Sequence, residues 1–303
     1  MYMKLSKLLF PLFLCALSFS VVSCGDDDDG IEWIPSEGGG STSVPTTNVT
    51  SRLECPQPKG DANEQIIAHW TRSGKDSIMT YCLAYDLKKL HSRWVAFRFD
   101  GKTRNRSVSR LDAWADDPSL APRYQIGTGG FGSGYARGHI CGSADRLYSR
   151  EANEQTFYMT NMSPMNYNFN SGYWITLEDL VRDWAKADYA DTLYVVKGGT
   201  IDDKNIKQHI ERGGNRTTVV PRYYFMALLK IKYGTYHSIA FLMENKDYGY
   251  SYENIVPAKE MRQHAMSVND LEKFTGINFF WNLPDDKEET IEAECSPVNW
   301  SRL

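Results

Sequence analysis

Apolar positions fall into short runs and periodic stripes that divide the body of the chain into strands and helices. Met79–Tyr85 and Trp94–Phe99 are compact apolar runs separated by a polar turn, which predicts two neighbouring strands. Asp191–Val196, Tyr223–Lys232 and Tyr236–Met243 read the same way, and Phe157–Asn161 is strand-like. The clearest helix is predicted over Ser171–Ala187. There Trp174, Leu177, Val181 and Trp184 recur at helical spacing, and Ser171 stands where an N-cap belongs. A short helix over Val268–Phe274 ends before Gly276. Asp100–Tyr124 lacks either period, and the glycines of Gly127–Gly134 require a loop. Strands and helices intersperse without a regular βαβ alternation. The expected class is therefore α+β: a mixed, largely antiparallel central sheet flanked by helices, in a single domain over 61–303.

The first 60 residues do not share this pattern. Lys4 and Lys7 precede an apolar run from Leu8 to Val22, broken by Pro11 and shorter than the about 20 residues a bilayer span needs. It fits the core of an export signal. The run ends in Val21-Val22-Ser23-Cys24, which resembles the cleavage box of bacterial lipoproteins, with Cys24 as the lipidated residue of a 1–24 signal. Asp26 to Asp29 follow, similar to the acidic tag that directs some lipoproteins to the outer face of the outer membrane. The expected location is thus an exported, outer-membrane lipoprotein facing the exterior, with a periplasmic or secreted protein as the alternative. An ordinary signal followed by a solvated acidic linker is the plainer reading. Residues 25–60 are rich in Gly, Ser, Thr and Pro and predict a flexible tether. Membrane contact is expected only through the lipid at Cys24.

Composition adds two constraints. The chain carries a formal charge of −4, but residues 25–60 alone hold seven acids against two bases, so the body is near neutral. An anionic substrate is not excluded, yet no global basic field exists, and phosphate affinity must come from a local cluster. Beyond Cys15 and Cys24 there are four cysteines, Cys55, Cys82, Cys141 and Cys295. In an oxidising compartment an even count predicts two disulfides, with the pairing open. No spacing suits a structural zinc site.

Candidate chemistry concentrates between residues 110 and 182. His139 is a base whose ordinary pKa lies near neutrality, and Gly138 before it permits a close approach or unusual dihedrals. Asn170 offers a neutral, hard oxygen suited to a magnesium ion that keeps most of its waters. Glu178 can hold such waters from behind. Arg104, Arg110, Arg137 and Arg182 are candidates for gripping phosphate. Together these are the parts phosphodiester hydrolysis requires: a base for water, positive charge at the transition state, and a group to neutralise the leaving oxygen.

The segments Gly134–His139, Ser143–Arg146, Thr156–Pro164, Asn168–Trp174 and Leu177-Glu178 resemble, in order and spacing, the DNA/RNA non-specific endonuclease family. This is the ββα-metal or His-Me finger group that includes endonuclease G-like enzymes. Weaker likeness extends the match over about residues 78–285. The resemblance implies a ββα-metal site motif and magnesium-dependent cleavage of DNA and RNA with little sequence preference, manganese being an alternative ion. It implies His139 as general base, Asn170 as the protein ligand of the metal, and Glu178 as the acid acting through metal-bound water. Arg182 matches a phosphate-binding arginine, Asn161 a supporting asparagine, and Arg137 lies within the histidine motif. Arg110 matches the upstream arginine, with Arg104 as its rival. The sequence departs from the family at Ala136, where an aspartate is usual. A catalytically weakened nucleic-acid-binding lipoprotein that keeps the fold is therefore the second reading. A homodimer is compatible with the sequence, though no residue argues for one.

Plainer readings stand beside these. Glu178 and Arg182 form an i,i+4 pair that would be worth only about 0.2–0.5 kcal/mol at a surface. Asn170 could merely cap the following helix, and Cys141 could be a disulfide partner or a buried thiol.

Overall fold

The computed structural model describes residues 49–303, Gly74 excepted. The expected lipoprotein signal, Cys24 and most of the expected tether lie outside the described residues. Residues 49–60, assigned above to the tether, pack onto the domain. Val49 and Cys55 are buried, Trp281 Nε1 donates to the Cys55 carbonyl, and Asn282 Nδ2 donates to the Thr50 and Arg52 carbonyls. A few apolar side chains in a polar stretch suffice to dock residues 49–60.

A seven-stranded sheet forms the centre: β1 (Glu64–Ser73), β2 (Asp76–Asp86), β3 (His91–Phe99), β6 (Thr192–Gly199), β9 (Tyr223–Lys232), β10 (Thr235–Glu244) and β11 (Ala265–Met266), adjacent in that order. Every pairing within it is antiparallel. Two small antiparallel pairs stand apart, β4 (Tyr135–His139) with β5 (Met162–Asn166), and β7 (Ile206–Glu211) with β8 (Thr217–Pro221). The helices are α1 (Arg150–Gln155), α2 (Tyr167–Phe169), α3 (Ile175–Trp184), α4 (Val268–Thr275) and α5 (Asp285–Glu292). Among the described residues no helix is long and apolar enough to cross a membrane.

Both faces of the sheet are covered, which explains why its strands read as continuous apolar runs. Along β9, Tyr224, Met226 and Leu228 enter one core cluster, while Phe225, Ala227 and Leu229 enter the other. This is the two-residue period of a strand. The first face packs against α3 through Leu177, Val181 and Trp184. The second packs against α4 and Val49–Cys55. Gly276 closes α4 at φ 66°, a left-handed cap that glycine adopts without strain.

Three local expectations are corrected. Phe157–Asn161 is no strand; it ends in a tight helical turn over Met159–Asn161, and the strand begins at Met162. Ser171 is not an N-cap. Asn166 caps the helical run, its Oδ1 accepting from Asn168 N and Phe169 N, and the Ser171 hydroxyl donates back to the Tyr167 carbonyl. The run passes through a π-helical turn at Asn170–Trp174 before α3 begins. The two disulfides expected from the even cysteine count do not form, because all four cysteines are free. Cys55 and Cys82 lie together in the core under one face as neighbouring thiols, and Cys141 lies in the core on the other, so the sheet separates Cys141 from that pair. Cys295 is exposed. Burial and a hydrogen bond from Cys55 push the Cys82 thiol well up.

Candidate active site

The site grows from β4, β5 and the helical run that follows. In the β4–β5 pair His139 faces Met162 and Gly138 faces Ser163. Gly138 is needed for space and not for its dihedrals. A Cβ there would lie 2.4 Å from the Met165 sulfur, and its φ is not positive. Beyond His139 the chain is clamped by Asn161, which is fully buried. Its Oδ1 accepts from Cys141 N at 2.8 Å, and its Nδ2 donates to the Cys141 and Thr156 carbonyls. Asn161 therefore spends its side chain on backbone and acts by support.

The His139 ring sits between Trp114 at 5.4 Å and Phe157 at 4.9 Å, and Trp174 Nε1 donates to its carbonyl. Trp114 is brought in by the aperiodic segment before it. The Ala115 carbonyl accepts from Met159 N, and buried Asp117 accepts from His69 Nε2 at 3.0 Å and from the Thr160 hydroxyl. Burial opposes the Asp117 charge, but His69 beside it holds the carboxyl below its ordinary range. His139 Nε2 has no hydrogen-bond partner among the described residues. Burial first, then the charges of Arg110, Lys197 and Arg137, push the His139 pKa down to about 3, with Asp145 opposing. This environment favours the neutral imidazole, whose free Nε2 can accept a proton.

His139 lines a cleft of about 410 Å³ together with Arg110, Arg137, Asn170, Glu178 and Arg182. The cleft walls carry three arginines and a single carboxylate, so an anion is favoured there. Arg110 Nη1 donates to Ser143 Oγ at 2.8 Å. The Arg137 guanidinium lies 3.7 Å from the Trp114 ring centre and donates to the Thr128 carbonyl. Arg104, the rival of Arg110, is directed elsewhere. Its guanidinium donates to the Asp100, Ala190 and Asp191 carbonyls, outside this cleft. Asn170 is inside the helical run, which excludes a capping role, and its amide makes no hydrogen bond among the described residues.

Beneath the cleft lies a buried charge network. Lys197 Nζ is 3.0 Å from both Asp145 Oδ2 and Glu178 Oε1, and it is fully buried. Arg182 Nη1 reaches Asp145 Oδ1 at 2.7 Å, and its Nη2 pairs with Asp179. Glu178 and Arg182 are thus not each other's direct partners. Burial pushes the Glu178 carboxyl up, Lys197 opposing it, whereas Lys197 and Arg182 hold Asp145 well below the usual carboxylate range despite its burial. Gly142 lets the loop close over this network, since a Cβ there would meet Glu178 Oε1 at 2.8 Å and Asp145 Oδ2 at 3.0 Å.

Residues 64–286 match the family model described as DNA/RNA non-specific endonuclease. The chain belongs to this family. Among relatives, mitochondrial nuclease EXOG of Xenopus laevis is 27% identical over 69% of this chain and 59% of its own length. Human EXOG is 25% identical over 79% and 66% respectively. A nuclease from a Nostoc species is 27% identical over 71% of this chain and 76% of its own length. The chain therefore spans 59–66% of the length of these EXOG relatives. The crystal structure of an EndoG/EndoGI complex superposes with a TM-score of 0.55 over 80% of this chain and 95% of that one. Its 20% identity speaks to the fold alone.

Against this DNA/RNA non-specific endonuclease background, a divalent metal can be tested on the donors present. Among the described residues no group of three His, Cys, Asp or Glu converges to cage an ion. The donor facing the cleft is the free amide oxygen of Asn170, with Glu178 two turns further along and its Oε2 without a protein partner. One neutral oxygen with a carboxylate behind it suits a magnesium ion that keeps its water shell. Lys197 and Asp145 were the parts that sequence reasoning missed. The available signal was a lysine directly after the apolar run Leu193–Val196, at odd register with Leu193 and Val195, which aims it at the α3 face.

Proposed function

We propose that the chain is a metal-dependent endonuclease that hydrolyses phosphodiester bonds of DNA and RNA with little sequence preference. The observation that carries this reading is the convergence, in one cationic cleft, of His139 with a free Nε2, the unengaged amide of Asn170, and Arg110, Arg137 and Arg182. In this reading His139 Nε2 takes a proton from a water that attacks phosphorus in line. Arg110 and Arg137 engage the phosphate oxygens, and seating that anion raises the basicity of His139 by offsetting two of the cations that depress it. Arg182, held by Asp145 and Asp179, keeps positive charge at the far wall. Asn170 would hold a magnesium or manganese ion directly, with Glu178 acting through water. When bound, that ion supplies Lewis-acid stabilisation for the scissile phosphate and the leaving 3′-oxygen. Contacts to the backbone carry no base information, so affinity falls with added salt.

Plasmid digestion with magnesium, with and without chelator, tests this. Chelator and His139→Ala should each abolish cleavage, and cleavage by His139→Ala would refute the assignment. A second reading, a weakened nucleic-acid-binding lipoprotein, is favoured by Ala136 lining the cleft where the family carries aspartate. Absence of cleavage by the wild type under magnesium or manganese would support it. We further propose export as a lipoprotein anchored at Cys24 and exposed on the cell surface. Labelling with a palmitate analogue checks the anchor, since uptake by Cys24→Ala would exclude it.

A further inference from the structure

The rim of the cleft carries two tyrosines that the chemistry above does not use. Tyr167 is 54% exposed and Tyr252 65% exposed. Both line the cleft that holds His139 and Asn170. Neither ring has an aromatic neighbour, and neither hydroxyl a hydrogen bond, among the described residues. What sets these two apart from a scattered exposed ring such as Tyr233 is that both border the same cleft.

The backbone beneath both rings is held in place. Tyr167 opens α2, directly behind the Asn166 cap. Tyr252 sits at the tip of a loop where Ser251 N donates to the Asn254 carbonyl, Asn254 N donates to that of Ser251, and Asn254 Nδ2 donates to that of Gly249. That loop docks on the turn bearing Asn170. Tyr248 stacks on Tyr173 at 4.3 Å, Asn168 Nδ2 donates to Asp247 at 2.7 Å, and Gly172 leaves no room for a Cβ beside the Tyr250 backbone, 2.9 Å away. The backbone that carries the two rings is therefore held relative to the Asn170 amide before any ligand arrives, which limits the entropy lost on binding.

We infer that Tyr167 and Tyr252 form a nucleobase subsite, stacking on bases of a single-stranded or unpaired segment whose phosphate occupies the arginine cleft. This rests on the nucleic-acid reading of the site and sharpens it. A ring face accepts any base, which preserves indifference to sequence while selecting for bases with free faces. Bases in an intact duplex are already stacked and have none to offer.

The test is equilibrium binding by the full chain in chelator, read by quenching of 2-aminopurine in a single-stranded oligonucleotide and by competition with an abasic phosphodiester strand of equal length. The wild type should bind the base-containing strand roughly 10- to 100-fold more tightly than the abasic one. Tyr167→Ala with Tyr252→Ala should erase that preference and the quenching while leaving abasic-strand and duplex affinity within about twofold. The paired Phe substitutions should retain the preference, because the ring and not the hydroxyl is used. Equal weakening on all three ligands, no weakening on any, or failure of the Phe pair to retain the preference would each overturn the inference. Catalysis is not read in chelator, so loss of the nuclease reading would appear only in the magnesium digestion and is separable.

Discussion

Lys197→Met removes the cation shared by Asp145 and Glu178 while nearly keeping the side-chain volume. The ammonium is fully buried and 3.0 Å from each carboxylate. Deleting one partner of a buried pair costs about 3–5 kcal/mol, because the remaining charge has neither water nor counter-ion. Arg182 stays on Asp145, so the loss falls mainly on Glu178, and about 3 kcal/mol is expected near pH 8. A domain of this size loses about 2–4 °C per kcal/mol, which places the drop in melting midpoint at roughly 6–12 °C. The deficit should depend on pH with a definite sign. Burial already raises the Glu178 carboxyl and Lys197 opposes that rise. Without Lys197 the folded pKa moves further above the unfolded one, so the folded variant binds the extra proton. The variant is then relieved at low pH and increasingly penalised as pH rises through the folded pKa. Thermal and urea unfolding at pH 5 and pH 8 read this directly. Lys197→Met with Glu178→Gln should recover at least half of the pH 8 deficit, while cleavage stays lost for want of the Glu178 carboxylate. A deficit below about 1 kcal/mol at both pH values, or one that does not shrink at pH 5, would show that Lys197 does not support Glu178.

Three further outcomes are expected. His91 is buried between the Ser92 carbonyl and Ser163 Oγ, and burial lowers its pKa to about 4. Its contribution to stability is complete above pH 6.5 and is lost as pH falls to 4, roughly 3 kcal/mol in all. Urea titrations in that window should show His91→Gln with a shallower slope, His139 supplying the remainder. Gly142→Ala forces a methyl group against Glu178 and Asp145. Such overpacking costs about 1–3 kcal/mol, and an unchanged melting midpoint would mean the carboxylates move aside freely. Ala136→Asp restores the family's carboxylate at the cleft wall, and a several-fold lower magnesium requirement for cleavage is the expected result. An unchanged magnesium titration would mean that the carboxylate is dispensable in this setting.

Some of this protein is local and was legible along the chain. Strands β2, β3, β6, β9 and β10 announce themselves because a strand buried on both faces must be apolar throughout. Helix α3 shows its apolar stripe, and the order of the segments around His139, Asn170 and Glu178 names the family. Edge strand β1 and strand β7 were missed for the converse reason, since their partly exposed positions carry mixed polarity that no single period describes. The helix start was misplaced by five residues because an Asn cap at 166 and a π turn at 170–174 both precede the regular apolar spacing.

What the sequence by itself determined is therefore the list of reactive groups and the elements that carry them. Tertiary structure decided which of those groups meet. It turned Arg110 into the cleft and tied Arg104 to backbone carbonyls. It separated Glu178 from Arg182 and gave each a different buried partner. It also delivered Lys197 from a strand well downstream of the histidine motif. The physical reason is that charge pairing depends on distance through space and on burial, and neither is encoded in spacing along the chain. A helix pattern can say that two residues share a stripe. Only the packing of that helix against the sheet sets which counter-ion each one finds.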